Sequence, residues 1–315
     1  MRTLTRTEFT DRFPIASGAI DPDAMTLVTI MRDEAFLLPA FLHHWRSIGV
    51  EQFVIADDHS TDGTGALLDA APDVVVLRSD LSYGETVRIR APLRTRIRRA
   101  GILFKERIPP HLFPNRWSLH ADADEFLILP PGVRSVRDVA EAARRRGGRA
   151  VAASWVDFAP AALSDLDAPH APRTLDDLLD RAPMFRARPN LRMRRLRQPV
   201  AAEADGSGRA PPLKTPLARL GPLVRRYGSH KTTWPPVHGI LLTMAHFKYT
   251  ADTRAKIARA LAVGGHLNGG SSYRRLAAHL DGCMPEAPLI GPDAVHYTGP
   301  EQLIAAGLMR WPGSG

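Results

Sequence analysis

The chain has 315 residues, 44% hydrophobic and 24% charged, a globular balance that allows one large α/β domain or two smaller ones. A single cysteine, Cys283, excludes an internal disulfide; no stretch approaches the ~20 apolar residues that span a bilayer, and residues 1–11 hold no apolar signal region, so a soluble, cytoplasmic protein is expected. The formal net charge of +9, with Arg-rich clusters at 88–99, 144–149, 186–197 and 225–226, favours anionic partners: nucleotide phosphates, acidic glycans, lipid headgroups or nucleic acid.

Residues 24–31 (AMTLVTIM) are β-branched and apolar and predict a buried strand. Residues 35–47 follow with helical spacing of Phe36, Leu37, Phe41, Leu42 and Trp45, and Gly49 ends that helix. A second strand at 52–56 runs into Asp57-Asp58-His59-Ser60-Thr61-Asp62-Gly63-Thr64, a third lies at 73–77, and a helix carrying Leu67 and Leu68 separates them. This alternation implies a parallel sheet with right-handed crossovers. Residues 86–100 have a possible helical period, and Pro109, Pro110 and Pro114 are expected to stop any helix there. A strand at 117–121, a helix at 133–146 with Ser135 as N-cap, a strand at 150–156 and a helix at 251–263 complete the reading. Residues 198–216, rich in Pro, Gly and Ala, predict a mobile loop.

Ligands of open α/β sheets bind beyond the carboxyl ends of the strands, which places Asp57 and Asp58 where a base N–H or a ribose hydroxyl can donate to them. Arg32 and Glu34, after the first strand, are candidates for the same pocket. The run His120-Ala121-Asp122-Ala123-Asp124-Glu125-Phe126 sets three carboxylates within four residues. On a strand, Asp122 and Asp124 would share a face and offer hard oxygen ligands to a divalent cation, Mn²⁺ or Mg²⁺, bridging them to a diphosphate. His246 is a candidate to complete that metal sphere, and Lys231 and Lys248 to neutralise leaving-group charge. A polar turn remains the competing reading of the acidic run.

Together, MRDEAFLLPAFLHHWRSIGVEQFVIADDHSTDGT and HADADEFL resemble the family-2-like glycosyltransferases of GT-A fold. The similarity is firm over residues 25–130 and looser over 226–259, where Lys231-Thr232-Thr233-Trp234 and His246-Phe247-Lys248-Tyr249-Thr250 through Lys256 carry it. The resemblance implies a mostly parallel, Rossmann-like sheet flanked by helices, in a single domain with a helical C-terminal part. The bounds expected are 22–263 for the domain and 264–315 for an extension packed on it. It also implies a UDP- or GDP-sugar donor, Asp58 on the nucleoside, Asp122 and Asp124 on the metal and diphosphate, and an inverting transfer. The chain departs from the pattern at Arg32 and at Ala245, each in the place of an Asn.

The expected activity is metal-dependent sugar transfer to a glycan or lipid-linked acceptor, with Asp124, Glu125 and Asp157 as candidate catalytic carboxylates. Glu125 would orient the loop or face the acceptor, and Asp157 is better placed to act as base than Glu203 and Asp205 in the loop. Peripheral contact with an anionic inner membrane face would use the basic surface. A silent glycan- or nucleotide-sugar-binding protein is the alternative. A nucleic-acid binder is disfavoured by the lack of any zinc-finger, helix-turn-helix or RNA-recognition signature.

Overall fold

The computed structural model describes every residue except 91–94, 169, 187–212, 229, 264–270, 292–293 and 313–315. Its strands are β1 (Thr3–Leu4), β2 (Ile15–Ser17), β3 (Thr26–Met31), β4 (Gln52–Asp57), β5 (Val74–Arg78), β6 (Thr86–Ile89), β7 (Arg96–Arg99) and β8 (Trp117–Leu119). Beyond these lie β9 (Glu125–Ile128), β10 (Ala150–Ala159), β11 (Met184–Arg186), β12 (Leu213–Arg219), β13 (Arg226–Tyr227), β14 (Lys231–Thr232), β15 (Leu241–His246) and β16 (Ala294–His296).

Among the described residues, a mixed sheet of 11 strands runs in the order β16-β11-β10-β12-β8-β3-β4-β5-β2, with β15 joined to β10 and β9. β8, β3, β4 and β5 are mutually parallel, and Met31, Asp57 and Arg78 stand in register at one edge. That edge, at the carboxyl ends of the strands, is where the site forms.

Every residue of β3 is buried, because both faces of the sheet are covered. Leu27 and Met31 join one cluster with Phe41 and Trp45, from the helix Leu38–Ser47, and with Val139 from the helix Val136–Arg145. Val28 and Ile30 join the opposite cluster with Leu103 and Phe104 of the helix Ala100–Leu112. The helix Val136–Arg145 begins at a capping box of Ser135 and Asp138.

Several expectations are corrected. The sheet is parallel in its β8-β3-β4-β5 part and between β10 and β15; β12, β9, β11 and β2 enter antiparallel. Antiparallel neighbours need no crossover helix, so the βαβ rhythm read from residues 24–77 does not carry on. Thr86–Ile89 and Arg96–Arg99 form two paired strands rather than a helix, since Val87 and Ile89 are buried and alternate with exposed Arg88. The helix Ala100–Leu112 continues through Pro109 and Pro110. Both prolines fall in its last turn, and buried Leu103, Phe104 and Ile108 hold it to the sheet.

The expected loop at 198–216 also changes. Residues 198–212, with Glu203 and Asp205, lie outside the described residues, but Leu213–Arg219 is a strand between β10 and β8. The folded unit begins before residue 22: Leu4, Phe9 and Phe13 lie in the second cluster. The C-terminal part is integral, with Leu303, Leu308 and Met309 in the first cluster. Among the described residues no helix is long and apolar enough to cross a membrane.

Candidate active site

Two loops leave the ends of β3 and β4 and are tied to each other. Asp33 N donates to Ser60 Oγ at 3.0 Å, Glu34 N to Thr64 Oγ1 at 2.8 Å, Ala35 N to Asp62 Oδ2 at 3.1 Å, and Thr61 N to Asp33 Oδ1 at 2.6 Å. Much of the Asp57–Thr64 motif is thus used to build the rim. Gly63, at φ 97, makes the turn before the helix Thr64–Asp69.

Between these loops, β12 and the helix Thr253–Val263 lies a cavity of about 710 Å³. Arg32, Glu34, Asp58, Asp122, Asp124, Glu125 and His246 all line it, as the sequence reading expected of a common pocket. Asp58 accepts a hydrogen bond from Tyr83 N at 2.7 Å. Burial raises its pKa, against the opposing effects of that bond and of Arg32. Glu34 Oε1 accepts from Lys256 Nζ at 2.6 Å, and burial pushes Glu34 up to about 7 despite this partner.

Asp122–Asp124 lie in the turn between β8 and β9, and only Glu125 of the acidic run is on a strand, at the start of β9. Asp122 and Asp124 therefore do not share a strand face, and they have different partners. Asp122 Oδ1 is 2.6 Å from Lys105 Nζ and its Oδ2 is 2.9 Å from Lys214 Nζ. Burial opposes its charge, but Lys105 and Lys214 outweigh this and hold Asp122 well below the usual carboxylate range. With both oxygens engaged by ammonium groups, Asp122 does not fit the metal-ligand role expected of it.

Asp124 is different. Its Oδ2 lies 3.3 Å from His246 Nε2, and His246 Nδ1 lies 2.6 Å from Asp157 Oδ1. A buried carboxylate behind one imidazole nitrogen, with the other nitrogen beside a second carboxylate, is the arrangement of a metal-binding histidine and its orienting partner. Burial opposes the charge on His246, but Asp124 and Asp157 raise it to about 10, so the metal-free imidazole is a cation between two carboxylates. Among the described residues no group of three or more His, Cys, Asp or Glu side chains could hold a metal. Two protein ligands still fit Mg²⁺ or Mn²⁺ when substrate oxygens and water fill the remaining positions.

Other assignments are corrected. Asp157 is fully buried on β10 and does not line the cavity, so it is a positioning group for His246 rather than a base for an acceptor. Glu125 is 1% exposed; its Oε2 accepts from Asp122 N at 3.0 Å and its Oε1 pairs with Lys214, so both oxygens are engaged in orienting the turn. Asp57 lies outside the cavity lining, and its Oδ1 accepts from Ser60 N at 3.0 Å, inside the loop. Lys231 stands exposed on β14, and Lys248 also lies outside the lining.

The sequence reading missed Lys105, Lys214, Tyr83 and Trp155, and held Lys256 only as the end of the stretch that carries the resemblance; all five line the cavity. Lys214 Nζ sits 4.8 Å from the Trp155 ring centroid, and Trp155 is 4.6 Å from the His246 ring. A signal was present: Lys105 directly follows the apolar Ile102-Leu103-Phe104, and Lys214 lies in Pro212-Leu213-Lys214-Thr215-Pro216-Leu217. Lysines in apolar runs are rarely buried without a partner.

No protein-family model and no curated protein matches the chain.

Proposed function

We propose that this chain is a GT-A-like glycosyltransferase that takes its sugar from a nucleoside diphosphate donor. The observation that carries the reading is one strand-end cavity with Asp58 at the ends of β3 and β4 and the Asp124–His246 pair across it. The first suits a nucleoside and the second a diphosphate. Asp58 accepts from a ribose hydroxyl or base N–H. Arg32, Lys256 and Lys214 supply positive charge where the leaving diphosphate departs.

Asp124 and His246 are the residues that would hold Mn²⁺ or Mg²⁺, which when bound supplies Lewis-acid stabilisation of the leaving phosphate. Asp157 keeps the His246 ring in place. Glu125 and Lys214 hold the Asp122–Asp124 turn rigid beneath the donor. The acceptor class that fits the reading is a glycan or a lipid-linked sugar.

A second reading, a protein that binds nucleotide sugar without transferring it, is favoured by the sealing of Asp157, the expected base, and by the pairing of the candidate catalytic Glu125 with Lys214. A thermal-shift panel of UDP-, GDP-, CMP- and dTDP-sugars with and without Mn²⁺ tests donor binding, since a ligand of the native state raises the midpoint by mass action. Release of free sugar from the stabilising donor then separates the readings: slow hydrolysis is expected of a transferase, and a stable bound donor of a binding protein. If no nucleotide sugar shifts the midpoint, both readings fail.

A further inference from the structure

We propose that the β13–β14 hairpin and its flanks form a docking patch for an anionic lipid bilayer at the mouth of the cavity. The inference does not depend on the chemistry assigned to the site. It starts from the side of the hairpin that faces away from the protein. Arg226 pairs with Thr232 and Tyr227 with Lys231. Arg226 turns inward and is buried, its Nη1 donating to Thr215 O at 2.6 Å. By strand alternation its neighbours Arg225 and Tyr227 turn outward, and both are exposed.

Three large apolar side chains are exposed on this short segment: Leu223 at 64%, Tyr227 at 46% and Trp234 at 39%. Backbone and side-chain bonds join the two arms that carry them, with Thr233 N donating to Arg225 O at 2.8 Å and Thr233 Oγ1 to Leu223 O at 3.0 Å. Cations surround them. Arg225 and Lys231 are on the hairpin itself, and Arg149 stands 5.6 Å from the Trp234 ring centroid. Arg107 is partly buried, and burial first, then Arg6, Arg225 and Arg96, lower its pKa against the opposing effect of Glu106. The surplus positive charge at this place calls for an anionic counterpart.

Aromatic side chains with polar tips, an aliphatic side chain and a ring of Arg and Lys are the composition that suits the boundary between headgroups and acyl chains. Each half supplies what the other lacks: the cations draw the patch to an anionic surface, and the apolar residues insert. His230 lies just before β14 and lines the cavity, while its carbonyl accepts from Thr215 Oγ1 at 3.3 Å. A bilayer on the outer side of the hairpin would therefore sit beside the cavity mouth. Lys231, Thr233 and Trp234, which stand outside the cavity, acquire a use in this way.

The test is cosedimentation of the full chain with vesicles of phosphatidylcholine alone and of phosphatidylcholine mixed with phosphatidylglycerol. Binding only to the mixed vesicles, weakened by salt, is expected. The Arg225→Glu/Lys231→Glu variant should lower the partition coefficient at least about tenfold, given roughly 1 kcal/mol per basic residue near an anionic surface. Trp234→Phe offers a second readout that spares the fold: the parent protein should show a blue shift of tryptophan emission on mixed vesicles, and this variant should lose it. The proposal is overturned if mixed vesicles do not bind, if neutral vesicles bind equally well, or if the variants leave binding and emission unchanged. Self-association abolished by Leu223→Asp, without vesicle binding, would also overturn it in favour of a protein interface.

Discussion

Asp157 illustrates how much a residue's role depends on what it touches. The sequence places it at the end of an apolar strand, where a carboxylate could serve as a base. The structure buries it fully against His246 Nδ1. Asp157→Asn should weaken Mn²⁺ binding by about 10- to 100-fold, the usual cost of losing an orienting partner behind a ligand histidine. Calorimetry checks this, because a base would affect turnover and leave metal affinity unchanged. Lys214 belongs to the same scale. It is nearly inaccessible, as is its partner Glu125. Burial pushes the Glu125 pKa up while Lys214 opposes the shift. Lys214→Met strands buried carboxylates, so urea unfolding should show a loss of about 3–5 kcal/mol. Adding Glu125→Gln should recover part of it, because the second substitution removes one of the uncompensated charges.

At the scale of elements, the donor side of the cavity depends on the contact between the helix Ala100–Leu112 and the loop before β6. A Cβ at Gly101 would lie 2.0 Å from the Tyr83 ring, and Tyr83 N is the donor to Asp58. Gly101→Ala should therefore displace Tyr83 and weaken UDP or GDP binding roughly tenfold, the worth of one hydrogen bond to a charged group. Titration calorimetry reads the change, and unchanged affinity would detach Asp58 from nucleoside binding. The same elements explain what was legible in the sequence. β3, β4 and β5 are buried on both faces and so appear as unbroken apolar runs, and the polar loops at their ends mark the rim. The acidic run is adjacent to both β8 and β9 in sequence, so its place in a turn is not encoded in its spacing. β12 was hidden because Leu213-Lys214-Thr215-Pro216 carries two turn-like residues and a charge; it is a strand because Lys214 finds Asp122 and Glu125 across the sheet. Cations that meet their partners only through tertiary contacts have no local signature.

At the scale of the whole molecule, the C-terminal residues complete the first core. Leu308 O accepts from Thr243 Oγ1 at 3.0 Å and also from Ser154, which pins the chain end to β15 and β10. Truncation after Tyr297 removes Leu303, Leu308 and Met309 from this cluster. It should abolish cooperative thermal unfolding rather than trim an appendage, a result scanning calorimetry would show.

Acid sensitivity is likewise a property of the ensemble of buried groups. Burial brings His44 and His230 down to about 4, and burial with Lys105 nearby holds His120 well below its ordinary value. Each ordinary histidine has a pKa near 6.5, so below that pH the unfolded chain takes up protons that the folded chain refuses. Their contribution is full above about 6.5 and is lost as the pH falls toward 4. Glu34, raised to about 7, acts in the opposite direction over much of that window, since its folded form gains the proton first. A parent curve alone mixes the two, so the difference between the parent and His44→Gln isolates one group. His44 Nε2 donates to Leu127 O at 2.9 Å, a bond that a glutamine amide can replace without titrating. The stability advantage of the parent over His44→Gln should shrink by up to about 3 kcal/mol between pH 7 and pH 4. Urea midpoints at a series of pH values measure it. A constant difference would mean that native His44 takes up its proton as readily as the unfolded chain does, and that the helix Leu38–Ser47 is less tightly closed over β9 than its packing indicates.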